Sequence, residues 1–345
     1  MPGLPKVRLL AAKSDLMRLN HWCNNLRLAA FIAAIFAHGP LFAEQVKSAY
    51  DLVRGTAKAA KELNYRGVFT YEFRGTLRSI KVAHLVRDGQ SYERIVHMDG
   101  AGHEIFRRGD DVTCSRPPDM LLLGTEFAAD NSLRLDDLYS FYIRGNARIA
   151  GRMAYMVEIR PKDKLRYGYV VAIDKLNGLM LQSMLISQSG KPLERFQYVD
   201  ISFPGELDNI QIPEQLVNSQ QAPGCLESNE TIDTSHSKWQ PTWLPSGFVL
   251  SDMKIDSSTG DESWMYTDGL ALFSVFIDSA EKSRRFPPVD AKLGTTVAVL
   301  SKVTVGEQHY AICVVGEIPD ATARRIAASI SPLASTIKSA VQAIK

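Results

Sequence analysis

LNYRGVFTYEFRGTLRSIKVAHLVRDGQSYERIVHMDGAGHEIFRRGDDVTCSRPP, running from Leu63 to Pro118, reads as consecutive strands joined by tight turns. Residues 68–74 reach Gly75, residues 76–86 reach Asp88-Gly89, residues 92–98 reach Asp99-Gly100, and residues 104–108 reach Gly109-Asp110. Asp-Gly favours a two-residue hairpin turn because both central residues need positive φ. The segment is therefore a local antiparallel meander and not a crossover fold.

Working outward, an amphipathic helix is predicted ahead of the meander over residues 44–63. Val46, Tyr50, Val53, Ala57, Ala60 and Leu63 recur at steps of three and four, which gives one packing face. Beyond Arg116-Pro117-Pro118, residues 120–138 are less regular and read as a loop with a short helix. Strands resume at Tyr142 and continue through 147–160, 167–173, 179–187 and 193–202, with Asp174–Gly178 and Gln188–Pro192 as turns. Regular spacing without helices between most pairs implies one large, strongly curved antiparallel sheet, covered by a helix as a half-open barrel.

Residues 204–238 shift to Pro, Gly, Asn, Gln and Ser, the composition of a linker long enough to let flanking domains move. A second unit begins at Trp239. Five strands are predicted over 248–255, 264–267, 270–278, 295–302 and 309–315, followed by a helix from Ile318-Pro319-Asp320 with Ile326, Ala327 and Ile330 as its stripe. The fold class is α+β: a large curved antiparallel half-barrel with covering helices, then a smaller antiparallel sheet plus helix. The expected layout is 1–43 leader, 44–203 first domain, 204–238 linker, 239–331 second domain and 332–345 tail.

The leader reading rests on Arg27, the apolar run 28–37 and the small residue Ala43 after Leu41-Phe42. That run is too short to span a bilayer as a lone helix. Lys6, Arg8, Lys13 and Arg18 make the basic region long, and a start at Met17 would restore the usual length. The whole chain of 345 residues carries a formal charge of +2. Without the five Lys/Arg and one Asp of residues 1–43, 35 basic and 37 acidic residues remain, a charge of −2. No basic excess is left for a nucleic-acid binder. Export to an oxidising compartment makes disulfides permissible for Cys114, Cys225 and Cys313. A Cys114–Cys225 bridge and three unpaired thiols both remain open, with Cys313 set in an apolar strand.

No catalytic signature is present: no G-x-S-x-G, H-E-x-x-H, G-x-x-x-x-G-K-[ST], or G-x-G-x-x-G after a strand. His84, His97 and His103 lack the spacing of a metal set and read as strand residues with local partners. No enzyme activity, cofactor or metal is expected. The aromatic stripes are more informative. Phe69, Tyr71 and Phe73 share one face of the first strand, and Tyr167, Tyr169 and Val171 share one face of a later one. Such stripes usually fill a core between sheet and helix. A curved sheet that stays open could instead leave an apolar groove for acyl chains. Among basic clusters, Arg284-Arg285 beside Phe286-Pro287-Pro288 is the best placed to meet an acidic partner segment, being in a loop.

The chain resembles the MucB/RseB family of periplasmic negative regulators of the envelope-stress sigma factor. The resemblance is carried by Leu63-Asn64-Tyr65-x-Gly67, His84, Tyr92-Glu93-Arg94, Asp99-Gly100, Glu104-Ile105 and Arg108-Gly109-Asp110. It continues in Arg148 to Arg152, Arg160 to Asp163, Arg166-Tyr167-Gly168-Tyr169, Asp174 and Gly178-Leu179. In the second unit it covers Trp243 to Phe248, Thr267-Asp268-Gly269-Leu270-Ala271, Phe273 to Phe276, and Val315 to Pro319 with Thr322. One departure is that Ala172-Ile173 stands before Asp174 where the family would carry a Trp, which bears on the shape of any apolar pocket.

The resemblance implies a first domain similar to the lipoprotein carriers LolA and LolB, whose half-barrels hold acyl chains. It also implies a protein that binds the periplasmic part of an RseA/MucA-type anti-sigma factor and shields it from site-one proteolysis. Release would follow the sensing of lipopolysaccharide or mislocalised lipoprotein. The alternative is a plain lipid or lipoprotein carrier of the LolA type, which leaves residues 239–330 without a task. A homo-oligomer is compatible with either reading.

Overall fold

The computed structural model describes residues 48–73, 75–100, 102–108, 135–203, 232–279 and 290–333. Helix α1 (Ala49–Glu62) opens the described chain. Ser48 is its extended N-cap, accepting from the Asp51 N–H at 3.1 Å, so the helix begins five residues later than the periodicity predicts. Leu52, Val53, Thr56, Ala57, Ala59 and Ala60 are buried. The Thr56 hydroxyl donates back to the Val53 carbonyl at 2.7 Å, which satisfies it inside the core.

The expected meander forms β1 (Tyr65–Phe73), β2 (Thr76–Arg87), β3 (Gln90–His97) and β4 (His103–Arg108). Asp88 and Gly89 turn β2 into β3 with φ of 53° and 76°, the double positive φ that the Asp-Gly pair signals. A short helix α2 (Leu135–Leu138) precedes β5 (Tyr139–Ile149), β6 (Arg152–Pro161), β7 (Gly168–Asp174), β8 (Met180–Ile186) and β9 (Pro192–Ser202). Ala150-Gly151, with φ of 48° and 75°, make a second tight hairpin inside what the sequence reading took as the stretch 147–160. Alanine is an uncommon occupant of that position, which is why the turn was missed.

The nine strands lie in the order β4-β3-β2-β1-β9-β8-β7-β6-β5. Every recorded pairing is antiparallel, and the sheet stays open between β4 and β5. Its two meanders are joined by β1 against β9. Helix α1 packs on one face, and its Ala60 joins Tyr65, Phe69, Tyr71, Phe196 and Tyr198 in one cluster. Its Leu52 and Val53 join Tyr167, Tyr169, Val171 and Ile173 in another.

The second part holds a six-stranded antiparallel sheet in the order β11-β12-β13-β16-β15-β14. Its strands are β11 (Val249–Ile255), β12 (Glu262–Thr267), β13 (Leu272–Ser279), β14 (Asp290–Leu293), β15 (Thr296–Val305) and β16 (Gln308–Gly316). Helix α3 (Asp320–Ser329) buries Ile326 and Ala327 against Phe273, Val275, Ile312 and Val314. A small two-stranded sheet pairs β10 (Trp239–Pro241) with β17 (Ile330–Pro332). The sequence did not signal β10, β14 or β17, each only three or four residues long. Buried Glu262 accepts from the Lys238 N–H at 2.9 Å, Ser237 Oγ at 2.7 Å and Trp264 Nε1 at 3.1 Å. The chain is therefore pinned from Ser237, just inside the predicted linker. Among the described residues no helix is long and apolar enough to cross a membrane.

Candidate functional site

The aromatic stripes lead to the place where the two sheets meet. Phe69 is fully enclosed, its ring 4.9 Å from that of Phe196 and 5.8 Å from that of Tyr198, and it fills the first core. Tyr71 and Phe73, farther along the same face, stack on each other at 6.1 Å and reach the second sheet. The turn before β15 comes so close that a Cβ on Gly294 would run into the Phe73 ring, and Gly294 itself has a φ of 69°. Tyr167, Tyr169 and Val171 are buried beside α1 with Leu270, which belongs to the β12–β13 turn. The small cavity lined by Val53, Thr56, Ile159, Tyr169, Val171, Met180 and Leu270 has room for about one water at most. Five of the six acyl-groove candidates are thus packed in this structure, and the half-buried Phe73 abuts Gly294. Leu270 lines that cavity with Val53 and Thr56 of α1, on the face that the acyl-groove reading would leave open.

Two polar patches fasten this junction. The first joins the Arg166-Tyr167-Gly168-Tyr169 segment to the Asp268-Gly269-Leu270 turn. Arg166 and Asp268 form an ion pair with both side chains at 0% exposure. Arg166 also donates to the Ser246 carbonyl at 2.6 Å and pairs with Asp163 at 3.0 Å, and its guanidinium lies over the rings of Tyr139 and Phe248. Asp268 takes Tyr139 OH at 2.8 Å on one oxygen, and the Leu270 and Ala271 N–H groups at 2.9 and 2.7 Å on the other. Four donors satisfy a carboxylate that burial would otherwise penalise heavily. Burial, reinforced by Asp268, pushes the Tyr139 phenol well above its ordinary value, so it remains a donor. Tyr169 OH donates to the Leu270 carbonyl at 2.9 Å.

The second patch centres on Glu194 of β9, 3% exposed. It accepts from Tyr71 OH at 2.9 Å, and from both the N–H (3.3 Å) and the hydroxyl of Thr295 across the junction. Burial pushes the Glu194 carboxyl up. Glu317, where β16 runs toward α3, is pushed up to about 8 by burial and then by the charge of Glu194.

Sequence reasoning singled out Arg166 and Asp268 within motifs, but nothing in the chain says that they touch. Glu194 it passed over, although a signal was available. Glu194 shares its strand face with Phe196 and Tyr198, so alternation alone places it inward.

Other candidates separate from this site. His84 Nδ1 lies 2.8 Å from the Leu63 carbonyl and its ring stacks on Tyr65, a structural post at the end of α1. Among the described residues, no three side chains of metal-binding type converge. Cys313 is a free, partly buried thiol. Asp174 receives the Leu176 N–H at 2.7 Å and pairs with Arg152, so these motif residues shape a turn. Arg284, Arg285, Phe286, Cys114, Cys225, residues 1–43 and residues 204–231 lie outside the described residues.

Comparison with known proteins places this architecture. Residues 48–216 match the model of the MucB/RseB N-terminal domain, and residues 233–331 that of the MucB/RseB C-terminal domain. The chain is 31% identical over 312 residues to the sigma factor AlgU regulatory protein MucB of Pseudomonas aeruginosa, covering 86% of this chain and 95% of that protein. It is 30% identical over 286 residues to the sigma-E factor regulatory protein RseB of Escherichia coli K12, covering 79% and 87%. Among solved structures it is similar to the complex of Pseudomonas aeruginosa MucA and MucB. There the identity is 30%, the TM-score is 0.65, and the match covers 83% of this chain and 99% of that chain.

Proposed function

Because this chain belongs to the MucB/RseB family, we propose that it is a periplasmic, non-enzymatic regulator that binds the periplasmic region of a MucA/RseA-type anti-sigma factor. The observation that carries the reading is its likeness over both domains to MucB solved with MucA. The leader of residues 1–43 would be removed on export. Bound, the chain would shield the anti-sigma factor from site-one proteolysis.

Release on sensing lipopolysaccharide or lipoprotein acyl chains is the second half of the proposal. What supports it is the apolar face at α1, where Val53, Tyr169 and Val171 meet Leu270. A lipid that enters there has to displace Leu270, and so bears on the junction. A ligand shifts such an equilibrium only through its different affinity for the two states. Coupling of about 1–3 kcal/mol would weaken the partner about 5–150-fold.

The rival reading as a plain carrier treats the second sheet as dispensable. Against it stands the buried pair of Arg166 and Asp268, which ties the second sheet to the first. Calorimetry of the mature chain with the periplasmic region of its cognate anti-sigma factor tests the regulator, and absence of binding overturns it. Lipopolysaccharide titrated into the preformed complex tests the sensing half separately, and an unchanged dissociation constant removes it. Deleting residues 233–331 separates the two readings: a carrier should keep its lipid binding, whereas the regulator should lose most of its anti-sigma affinity.

A further inference from the structure

The polar patch around Glu194 differs in kind from the one around Arg166. Every ionisable group recorded facing it is an acid or a phenol. From the side of the first sheet these are Tyr71 on β1, Tyr167 just before β7, Tyr169 on β7 and Glu194 on β9. From the second they are Asp268 in the β12–β13 turn, itself paired with Arg166, Glu317 after β16 and Asp320 at the start of α3. Among the described residues neither Glu194 nor Glu317 has a basic partner. Arg195, next to Glu194, is on the opposite strand face and reaches Gln182 and Gln197. Arg324 pairs with Asp320 at 2.9 Å on an exposed side of α3. The lone-pair needs of Glu194 are met by neutral donors, Tyr71 and Thr295, which suit a neutral carboxyl nearly as well as an ionised one.

We propose that closure of the two sheets is proton-linked: shutting the junction over Glu194 and Glu317 takes up a proton, and opening it releases one. In the open state both carboxyls face water and ionise as ordinary glutamates do. In the closed state Glu194 is enclosed and Glu317 half-buried, and among the described residues no basic side chain pairs with either, so one carboxyl keeps its proton. The pair titrates as a unit.

The raised values of both groups agree with this and set the sign. A carboxyl held above its ordinary value favours the closed form fully below the ordinary carboxylate range, and that contribution is lost as pH rises through its closed-state value. Acid therefore holds this side of the junction shut, and mild alkali loosens it. The proposal is independent of anti-sigma binding, and either can fail without the other.

Hydrogen exchange of the mature chain, corrected for intrinsic rates and followed from pH 6 to pH 9, tests it. Peptides spanning residues 191–198 and 292–297 are expected to lose protection tenfold or more across that range, while 312–315 in the second core stays protected. Glu317→Gln, which keeps shape and removes the charge, should hold both peptides protected throughout. Unchanged protection in the parent, or a variant that tracks the parent, overturns the proposal. Should the variant not fold, the glutamate carboxyl signals of carbon-13-labelled parent chain decide instead. A carboxyl that titrates above pH 6 supports the linkage, and none doing so overturns it.

Discussion

Arg166 and Asp268, 102 positions apart in the chain, form an ion pair from which water is wholly excluded, one from the segment leading into β7 and the other from the β12–β13 turn. A removed partner leaves the other charge buried and uncompensated, which costs about 3–5 kcal/mol. Asp268→Ala should lower stability by that order and separate the unfolding of the two sheets into two transitions. Arg166→Met combined with Asp268→Leu should restore much of the loss, because paired apolar replacement avoids the stranded charge. Urea denaturation of the three proteins, followed by tryptophan fluorescence, checks both expectations. All four tryptophans lie in or before the second sheet or within residues 1–43, so far-ultraviolet dichroism should accompany it to report the first.

Gly294 combines positive φ with the close Phe73 ring. Gly294→Ala should cost about 1–2 kcal/mol through backbone handedness alone. The clash with Phe73 adds to that, and Phe73→Ala in the same chain should relieve only the added part. A thermal-melt comparison of the two single variants and the double variant separates the contributions, since contacting residues are non-additive.

Tyr169→Phe deletes one hydroxyl and strands the Leu270 carbonyl. The expected loss is about 0.5–1.5 kcal/mol, with local loosening of the 268–271 turn and no change elsewhere. Amide exchange of peptides covering that turn reads it directly.

For the partner, Arg284→Ala with Arg285→Ala should leave stability within about 0.5 kcal/mol of the parent, the expectation for charges in a segment whose sequence reads as a loop. Affinity for the anti-sigma segment should fall and its dependence on salt should flatten. Equal affinity at low salt moves the docking site to the segment 206–238.

The mature protein should begin at Glu44 and fractionate with the periplasm. Intact-mass measurement on protein from envelope extract checks it, and a retained Met1 or Met17 contradicts it.

The strands were legible where turn chemistry was explicit. Asp88-Gly89 announced its hairpin, whereas Ala150-Gly151 did not, because alanine carries no signal for the left-handed region. The fold of both sheets followed from alternation and spacing. The junction did not. Tyr71 and Tyr169 read as a core stripe or an acyl-groove wall because periodicity says which face a residue shares, not which body covers that face. Leu270 and Thr295 come from turns more than a hundred residues downstream of those stripes, and no local pattern encodes that meeting.

The seam between β1 and β9 sets an order of events for the newborn chain. Thr70 Oγ1 meets the Gln197 carbonyl 127 positions away, and Arg66 meets Ser202 across 136. During export the N-terminal hairpins can fold locally while β1 keeps one bare edge until β9 arrives. Closing so long a loop is entropically late and slow, which places such topologies toward millisecond-to-second folding and leaves the bare edge open to mispairing meanwhile. Gly67 sits on that seam, where any Cβ would meet the Asp200 carbonyl at 2.5 Å. A side chain there would therefore obstruct the last stitch of the sheet, and its mark would be a slower, more aggregation-prone maturation as well as a weaker final fold.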